Sequence, residues 1–361
     1  MAATNHPIQI AILGAGTFVK SQYLPRLSEI SNLFHLKAIW SRTENSASSA
    51  VEIANKDFGG VECKWGDNGL QDIIQDSSIV AVIVVLAGQH QVEISLKMLK
   101  AGKQVLQEKP AASCTNELET ALSAYKSISA DAPGQIIWSV AENYRFEPAL
   151  VEGKKLIADI GKMMSVQVIV EGSMNSSNPY FSSSWRRSFT GGFILDMGVH
   201  FIAGLRMLVG CEVVSVSAMT SHVDLILPSP DNLSSVFHLE NGCSGVFVMV
   251  VSSRSPKILW RVVGMNGTLQ IERGFQGQHG YLVSLYDANG QCKSSFFPFS
   301  GVTEELKTFF NDVSENTLKK SSEFVPEHRL SLVEGARDVA LLEAMLESGS
   351  RQGKQVHVKK F

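Results

Sequence analysis

The chain has 361 residues, more than a single domain usually contains, and this length predicts two domains. A hydrophobic fraction of 44% and a charged fraction of 19% exclude a largely disordered chain, because they supply enough apolar surface for packed cores. Lysine plus arginine number 32 and aspartate plus glutamate 35, which gives a net charge of −3. Without an excess of positive charge, neither nucleic acid nor an anionic membrane surface is an expected partner.

The cysteines and the hydropathy pattern favour a cytoplasmic protein. Five cysteines are dispersed with no CxxC pair, which fits reduced thiols better than a disulfide framework or a zinc site. The first residues lack the basic and apolar regions of a leader peptide. The longest apolar run, residues 79–87, is far shorter than the roughly 20 residues that span a bilayer. We therefore expect no membrane segment.

The first 140 or so residues alternate between strand-like and helix-like segments. Short apolar runs without alternating polarity predict strands that are buried on both faces. These runs cover residues 8–13, 36–40, 79–86, 104–107 and 136–141. Between them, residues 46–57, 91–99 and 116–128 have helical character. This order predicts βαβ units and a parallel sheet, and we assign this first, Rossmann-type domain to residues 1–145.

The pattern changes after about residue 147. The segments that follow are a helix over 149–159, an extended run over 163–171, a Ser/Asn-rich loop over 173–184 and an apolar helix over 191–209. Residues 213–299 contain β-rich runs separated by close turn signals, which predict an antiparallel sheet joined by hairpins. Helices over 303–319 and 326–348 complete the chain. We therefore expect an α/β protein whose second domain, residues 146–361, is α+β with a mostly antiparallel sheet.

A glycine turn follows the first predicted strand. Its residues Gly14, Gly16, Thr17 and Phe18 are placed where backbone N–H groups and a helix N-terminus can bind a pyrophosphate. Val19 stands where the usual fingerprint has its third glycine. The alternative is an ordinary glycine-containing turn, but the position after strand one of a βαβ series favours dinucleotide binding.

The end of the second predicted strand favours NADP over NAD. NAD-selective sites usually carry an acidic residue here that binds the ribose 2′-hydroxyl. This chain has Ser41 and Arg42 instead, and a hydroxyl with a guanidinium suits a 2′-phosphate. The alternative is a solvated loop arginine.

Lys109 lies between Glu108 and Pro110, in a segment that directly follows the strand-like run 104–107. Ligands bind beyond the carboxyl ends of the strands in open parallel sheets, so Lys109 is a candidate functional residue. A solvated surface charge is the alternative. Lys103 lies at the opposite end of the same strand, where a structural role is expected.

The strongest motif is Gly-Gly-Phe-Ile-Leu-Asp-Met-Gly-Val-His over residues 191–200. On a helix, Asp196 and His200 lie one turn apart on one face among apolar neighbours. An acid and an imidazole in such surroundings need a partner or a chemical role. A self-satisfied core pair is the alternative. A metal pair is less favoured, because no further His/Cys cluster offers ligands.

The order and spacing of three motifs resemble the Gfo/Idh/MocA oxidoreductase family. They are the 14–19 turn, the segment Ala-Gly-Lys-Gln-Val-Leu-Gln-Glu-Lys-Pro over 101–110, and the 191–200 motif, and they span roughly the first 210 residues. The resemblance implies a dinucleotide-binding domain followed by a domain with a large open sheet. Such a sheet commonly forms the interface of a homodimer or homotetramer.

The resemblance also implies roles for single residues. Lys109, Asp196 and His200 would form the catalytic set, while Trp185 and Arg186 match a segment that surrounds substrate and nicotinamide. The remaining implied residues are Asn143, Tyr144 and Arg145 for substrate, and Leu86, His90, Glu108 and Lys109 for cofactor. Many members carry Thr-Pro-Asn before the histidine, whereas this chain has Leu-Ala-Gly-Gln before His90.

We therefore expect an NADP-dependent dehydrogenase or reductase. A hydride would move between nicotinamide and a secondary alcohol or carbonyl of a sugar, polyol or related small molecule. His200 would be the general acid/base, Asp196 would orient the imidazole or hold a substrate hydroxyl, and Lys109 would stabilise alkoxide character. Two alternatives stay open: a catalytically silent dinucleotide-binding sensor of the same fold, and an NAD-dependent glycoside-cleaving relative.

Overall fold

The computed structural model describes residues 7–132, 135–189, 191–319 and 324–361, without the side chains of residues 318 and 319. The first six residues, part of the segment in which we expected no leader peptide, lie outside this set. Backbone contacts divide the chain into two compact units. The first contains Met1–Ala112, Asn116–Ala141 and Val302–Gly335, and the second contains Ser113–Thr115, Glu142–Gly301 and Ala336–Phe361.

The first unit is built on a six-stranded parallel sheet. Its strands are β1 (Ile8–Leu13), β2 (Phe34–Ser41), β3 (Glu62–Trp65), β4 (Ile79–Val84), β5 (Gln104–Glu108) and β6 (Trp138–Ala141). Their order in the sheet is β3-β2-β1-β4-β5-β6, and every neighbouring pair is parallel. The strand order reverses between β1 and β4, the position at which open α/β sheets bind ligands beyond their carboxyl ends.

Helices connect these strands, as the alternating sequence pattern predicts. They are α1 (Leu24–Ser28), α2 (Glu44–Ala54), α3 (Gly66–Gln75), α4 (Gly88–Lys100) and α5 (Thr115–Asp131). Most of α9 (Gly301–Lys319) also belongs to this unit, whereas the predicted boundary after residue 145 places this helix in the second domain. The chain passes from the first unit to the second between Ala141 and Glu142, slightly before the predicted boundary.

The second unit contains a nine-stranded sheet. Its strands are β7 (Met163–Ser173), β8 (Val213–Ser221), β9 (Asn232–Leu239), β10 (Ser244–Val250), β11 (Ser252–Gly264), β12 (Gly267–Phe275), β13 (His279–Asp287), β14 (Cys292–Pro298) and β15 (Val356–His357). Their order is β14-β13-β12-β11-β7-β10-β9-β8-β15. Within this sheet, only the β7–β10 pair is parallel among the described strands, so the expected mostly antiparallel sheet is confirmed.

Helices also contribute to the second unit. They are α6 (Pro148–Leu156), α7 (Ser184–Arg187), α8 (Gly192–Val209) and the larger part of α10 (Leu332–Ser350). In α8, Gly204 lets the helix approach β11 closely, because a Cβ at this position would lie 3.1 Å from the Trp260 ring. Among the described residues, α8 is the one helix long and apolar enough to cross a membrane, and 83% of it is buried.

Candidate active site

The predicted glycine turn forms an open cradle at the carboxyl end of β1. Gly14 has a φ of +129°, and a Cβ there would lie 2.0 Å from the Val85 carbonyl oxygen, so no side chain fits. Gly16 and Thr17 are exposed, and a Cβ on Gly16 would meet nothing within 4 Å. The first glycine is therefore required by the close approach of two chain segments. The second leaves space through which a phosphate can reach the backbone.

Val19, which replaces the third glycine of the fingerprint, is a core residue. Its side chain is fully buried, and it begins a π-helical turn, Val19–Tyr23, that leads into α1. The usual third glycine permits close packing of helix and strand. Here a buried valine and a wider helical turn take that position, so the departure alters packing and leaves the exposed cradle open.

Ser41 is the last residue of β2, and Arg42 follows it as an exposed side chain. Neither an ion pair nor a hydrogen bond engages the Arg42 guanidinium within the described part of the chain. The first acidic side chain after the strand is Glu44, which is exposed in the first turn of α2.

Glu108 and Lys109 lie at the carboxyl end of β5. Glu108 is buried, its Oε1 accepts a 2.7 Å hydrogen bond from the Tyr23 hydroxyl, and its Oε2 accepts one of 3.1 Å from the Lys109 N–H. Burial, reinforced by the nearby carboxylates, raises the pKa of Tyr23 well above its ordinary value, so the phenol stays a donor. Glu108 thus fixes the backbone that carries the half-buried Lys109.

The first unit brings the predicted cofactor residues to one edge of its sheet. Leu86 follows β4, and His90 is exposed in the first turn of α4. This edge collects Gly14, Gly16, Thr17, Phe18, Ser41, Arg42, Leu86, His90, Glu108 and Lys109, because the carboxyl ends of parallel strands share one side of a sheet.

In the second unit, Asp196 is held by the short helix α7. Asp196 is buried, and its Oδ2 accepts a 2.7 Å hydrogen bond from Arg186 Nε. The Arg186 guanidinium also lies over the Trp185 ring at 4.2 Å and the Tyr180 ring at 4.7 Å. Stacking and a charge-assisted bond together fix this guanidinium. The predicted pair Trp185 and Arg186 therefore adjoins Asp196.

His200 lies one turn further along α8, with 18% of its side chain exposed. Its Nδ1 is 2.7 Å from Oε1 of Glu142, a carboxylate that sequence reasoning missed. The Tyr144 ring stacks on the imidazole with a centroid distance of 4.7 Å. The expectation that Asp196 could orient the imidazole is corrected here, because the carboxylate at Nδ1 is that of Glu142, and Asp196 accepts from Arg186.

Asn143 as a substrate contact stays a prediction, whereas Arg145 does not fit its predicted substrate contact. Asn143 Nδ2 donates a 3.2 Å hydrogen bond to Glu147 Oε1. Arg145 is 3% exposed and pairs with the buried carboxylate of Asp338, which also accepts a 2.8 Å hydrogen bond from Arg206. Arg145 is therefore a core ion-pair residue, and we withdraw its assignment to substrate binding.

This buried ion-pair group makes a stability prediction. Asp338→Asn should lower the free energy of unfolding by about 3–5 kcal/mol, because two buried guanidinium groups lose their shared carboxylate. Chemical denaturation of the purified chain measures this change. Glu93→Gln, which removes the exposed Lys97–Glu93 pair, is the matched control and should change stability by less than about 1 kcal/mol. Equal effects of the two substitutions would contradict the structural role.

No group of three or more His, Cys, Asp or Glu side chains that could hold a metal occurs among the described residues.

Comparison with known proteins agrees with this division of the chain. Residues 8–130 match the model of the oxidoreductase family with an NAD-binding Rossmann fold, and residues 152–270 match the GFO/IDH/MocA C-terminal domain. The chain is 31% identical to the dehydrogenase FPY6 of Fusarium mangiferae, over 98% of this chain and 99% of that protein.

Two further relatives are named for sugar or polyol substrates. The NADP(+)-dependent scyllo-inositol 2-dehydrogenase of Bacillus subtilis is 28% identical over 54% of this chain and 50% of its own. A solved levoglucosan dehydrogenase, in complex with NADH and levoglucosan, superposes with a TM-score of 0.77 at 21% identity, covering 99% of this chain and 100% of that one. With both domain models matched and a full-length relative at 31% identity, the chain belongs to the Gfo/Idh/MocA family of NAD(P)-dependent oxidoreductases.

Proposed function

We propose that the protein is an NADP-dependent dehydrogenase or reductase that interconverts a secondary alcohol and a carbonyl in a sugar, polyol or related small molecule. The observation that carries this proposal is His200, a partly exposed imidazole on an apolar helix with one nitrogen bonded to a buried carboxylate. The names of the inositol and levoglucosan dehydrogenases support the substrate class.

The chain's own residues have to move one proton and stabilise one developing negative charge. We assign the proton to Nε2 of His200, because Nδ1 is engaged by Glu142 and an imidazole can exchange protons near neutral pH. We assign stabilisation of the reacting oxygen to the Lys109 ammonium. When bound, a nicotinamide dinucleotide would supply the hydride donor or acceptor.

Asp196, Arg186 and Trp185 are proposed to recognise the substrate. Arg186 holds the Asp196 carboxylate in one orientation. The carboxylate is therefore preorganised to accept a hydrogen bond from a substrate hydroxyl. The Arg186 guanidinium covers one face of the Trp185 ring, so we assign the opposite face to packing against the C–H face of a ring. Such a set favours a cyclic polyhydroxy compound over an acidic one, since the proposed acceptor is itself negatively charged.

The fit to a dinucleotide is supported by the open cradle at Gly14 and Gly16. NADP is favoured over NAD because Ser41 and the unengaged Arg42 follow β2 where a ribose-binding acid would otherwise stand. A relative named for NADP and a solved structure named for NADH both occur, so this preference rests on these residues.

Arg42→Ala should weaken NADPH binding by about 10- to 100-fold and leave NADH binding unchanged, because it removes a charge-assisted phosphate contact. Titration calorimetry with both dinucleotides measures the two affinities. Equal weakening of NADPH and NADH binding, or no change in either affinity, would contradict the assignment of Arg42 to a 2′-phosphate.

We also propose a homodimer or homotetramer through the outer face of the second unit's sheet. Val236 and Val246 face each other in the β9–β10 register and are 50% and 36% exposed, while Met219 on β8 is 59% exposed. Apolar side chains exposed on neighbouring strands suit an interface.

A cytoplasmic location is proposed from the five dispersed cysteines, which are free thiols.

A substrate screen tests the proposed function. The chain would be mixed with NADP or NAD and a panel of sugars and cyclic polyols, or with the reduced dinucleotides and the corresponding ketones, while nicotinamide absorbance is followed. We expect turnover of at least one polyhydroxy compound, with NADP preferred. Tight dinucleotide binding without turnover of any compound would instead favour the sensor.

A further inference from the structure

Glu142 and His200 make a contact that is closer and more specific than the burial of the two side chains alone would require. Glu142 is 1% exposed and follows β6 directly, whereas His200 lies on α8. The fold brings Glu142 Oε1 to 2.7 Å from His200 Nδ1, within the range of a strong hydrogen bond. A buried carboxylate is costly, so its placement against an imidazole needs a physical reason.

The bond determines which ring nitrogen is available. An ionised carboxylate can only accept, so the neutral imidazole paired with it carries its proton on Nδ1. The lone pair then lies on Nε2, the nitrogen that we assign to proton exchange. Without the carboxylate, either tautomer of a neutral imidazole is possible.

Tyr144 holds both partners in place. Its ring stacks on the His200 ring with an interplanar angle of 19°, which opposes rotation of the imidazole. Its backbone N–H donates a 3.2 Å hydrogen bond to the same Oε1 of Glu142. The Tyr281 hydroxyl donates to the Tyr144 hydroxyl at 3.1 Å, and burial raises the pKa of Tyr144 to about 12. The aromatic ring is therefore a fixed, neutral support.

From these contacts we propose that Glu142 is a positioning residue, which holds His200 in the Nδ1–H tautomer and presents Nε2 for proton transfer. This inference rests on the proposed function of His200 as general acid/base. Asp196 has a different fixed partner, because its Oδ2 accepts from Arg186 Nε. Glu142 and Asp196 thus have separate proposed roles, one toward the imidazole and one toward substrate.

The tautomer can be read without any substrate. The full chain labelled with ¹⁵N in its histidine rings would be studied by NMR at alkaline pH, where the imidazole is neutral, and His200 would be assigned by the signals lost in His200→Asn. Wild-type protein should show the Nδ1–H form. In Glu142→Leu no acceptor remains beside Nδ1, so the Nε2–H form should appear.

The kinetic consequence is measured on the same variant once a substrate is identified. Glu142→Leu should lower kcat by about 10²–10⁴-fold, the contribution of general acid/base assistance, with little change in KM for the dinucleotide. Glu147→Leu is the matched control. Glu147 is also buried, but its carboxylate accepts from Asn143 and the Ser300 N–H, so its loss should leave the His200 tautomer unchanged.

An Nε2–H form of His200 in the wild-type protein would overturn the inference even if no Glu142 variant folds. An unchanged tautomer in folded Glu142→Leu would overturn it as well. Either result beside normal turnover would leave the proposed oxidoreductase function intact. If the His200 tautomer depends on Glu142 but the protein turns over no compound, the tautomer assignment stands and the proposed oxidoreductase function fails.

Discussion

His200→Asn is expected to abolish most turnover while leaving dinucleotide affinity nearly unchanged. The substitution keeps a hydrogen-bonding side chain next to Glu142 but removes the group that carries the proton, so the loss should be about 10²–10⁴-fold in the single-turnover rate. The open glycine cradle belongs to the other unit and should bind the dinucleotide as before. Single-turnover kinetics and NADPH titration on one preparation measure both quantities.

A purely structural pair of Glu142 and His200 makes the opposite prediction. Asparagine would then lower the melting temperature, and turnover per folded molecule would be preserved. A destabilised but fully active His200→Asn protein would refute the catalytic role.

Lys109→Ala is expected to lower turnover by about 10²–10³-fold with the fold retained, because it removes one preorganised donor to the reacting oxygen. The half-buried side chain follows β5, and Glu108 anchors the backbone independently of the ammonium. Steady-state kinetics and a thermal melt of the same variant separate activity from stability.

Lys103→Met is the matched control at the other end of β5. The Lys103 ammonium is buried and donates to the carbonyl oxygens of Asp76 and Ile79 at 2.8 Å and 3.0 Å, and desolvation lowers its pKa. This variant should melt at a lower temperature and retain its turnover per folded molecule. Normal turnover of Lys109→Ala would reduce that lysine to a surface charge.

Most of the fold was predictable because its strands are strongly apolar. The runs that form β1 and β4 are almost completely buried, and such runs read as strands without any alignment. The edge strand β3, Glu-Cys-Lys-Trp, was missed because its side chains are half-buried or exposed and carry charges. The last helix begins at Leu332, later than predicted, after the 3₁₀ turn His328–Leu330.

The candidate site was predictable only where a motif is local in sequence. Asp196 and His200 lie one helical turn apart, so their proximity needs no tertiary information. The partner of His200 is 58 residues away in sequence, and no local pattern marks Glu142. Arg145 was misassigned for the same reason, since its partner Asp338 is 193 residues away and only the folded chain shows that the pair is buried.

Transfer of a deuterium label tests the central claim most directly. The protein would be incubated with NADP and a mixture of sugars and cyclic polyols deuterated at their carbinol carbons, and the recovered dinucleotide would be analysed by mass spectrometry. The account predicts reduced dinucleotide that carries one deuterium with the wild-type protein, and a strongly diminished yield with His200→Asn. Dinucleotide that binds tightly and is recovered oxidised and unlabelled would contradict hydride transfer from a CH–OH carbon.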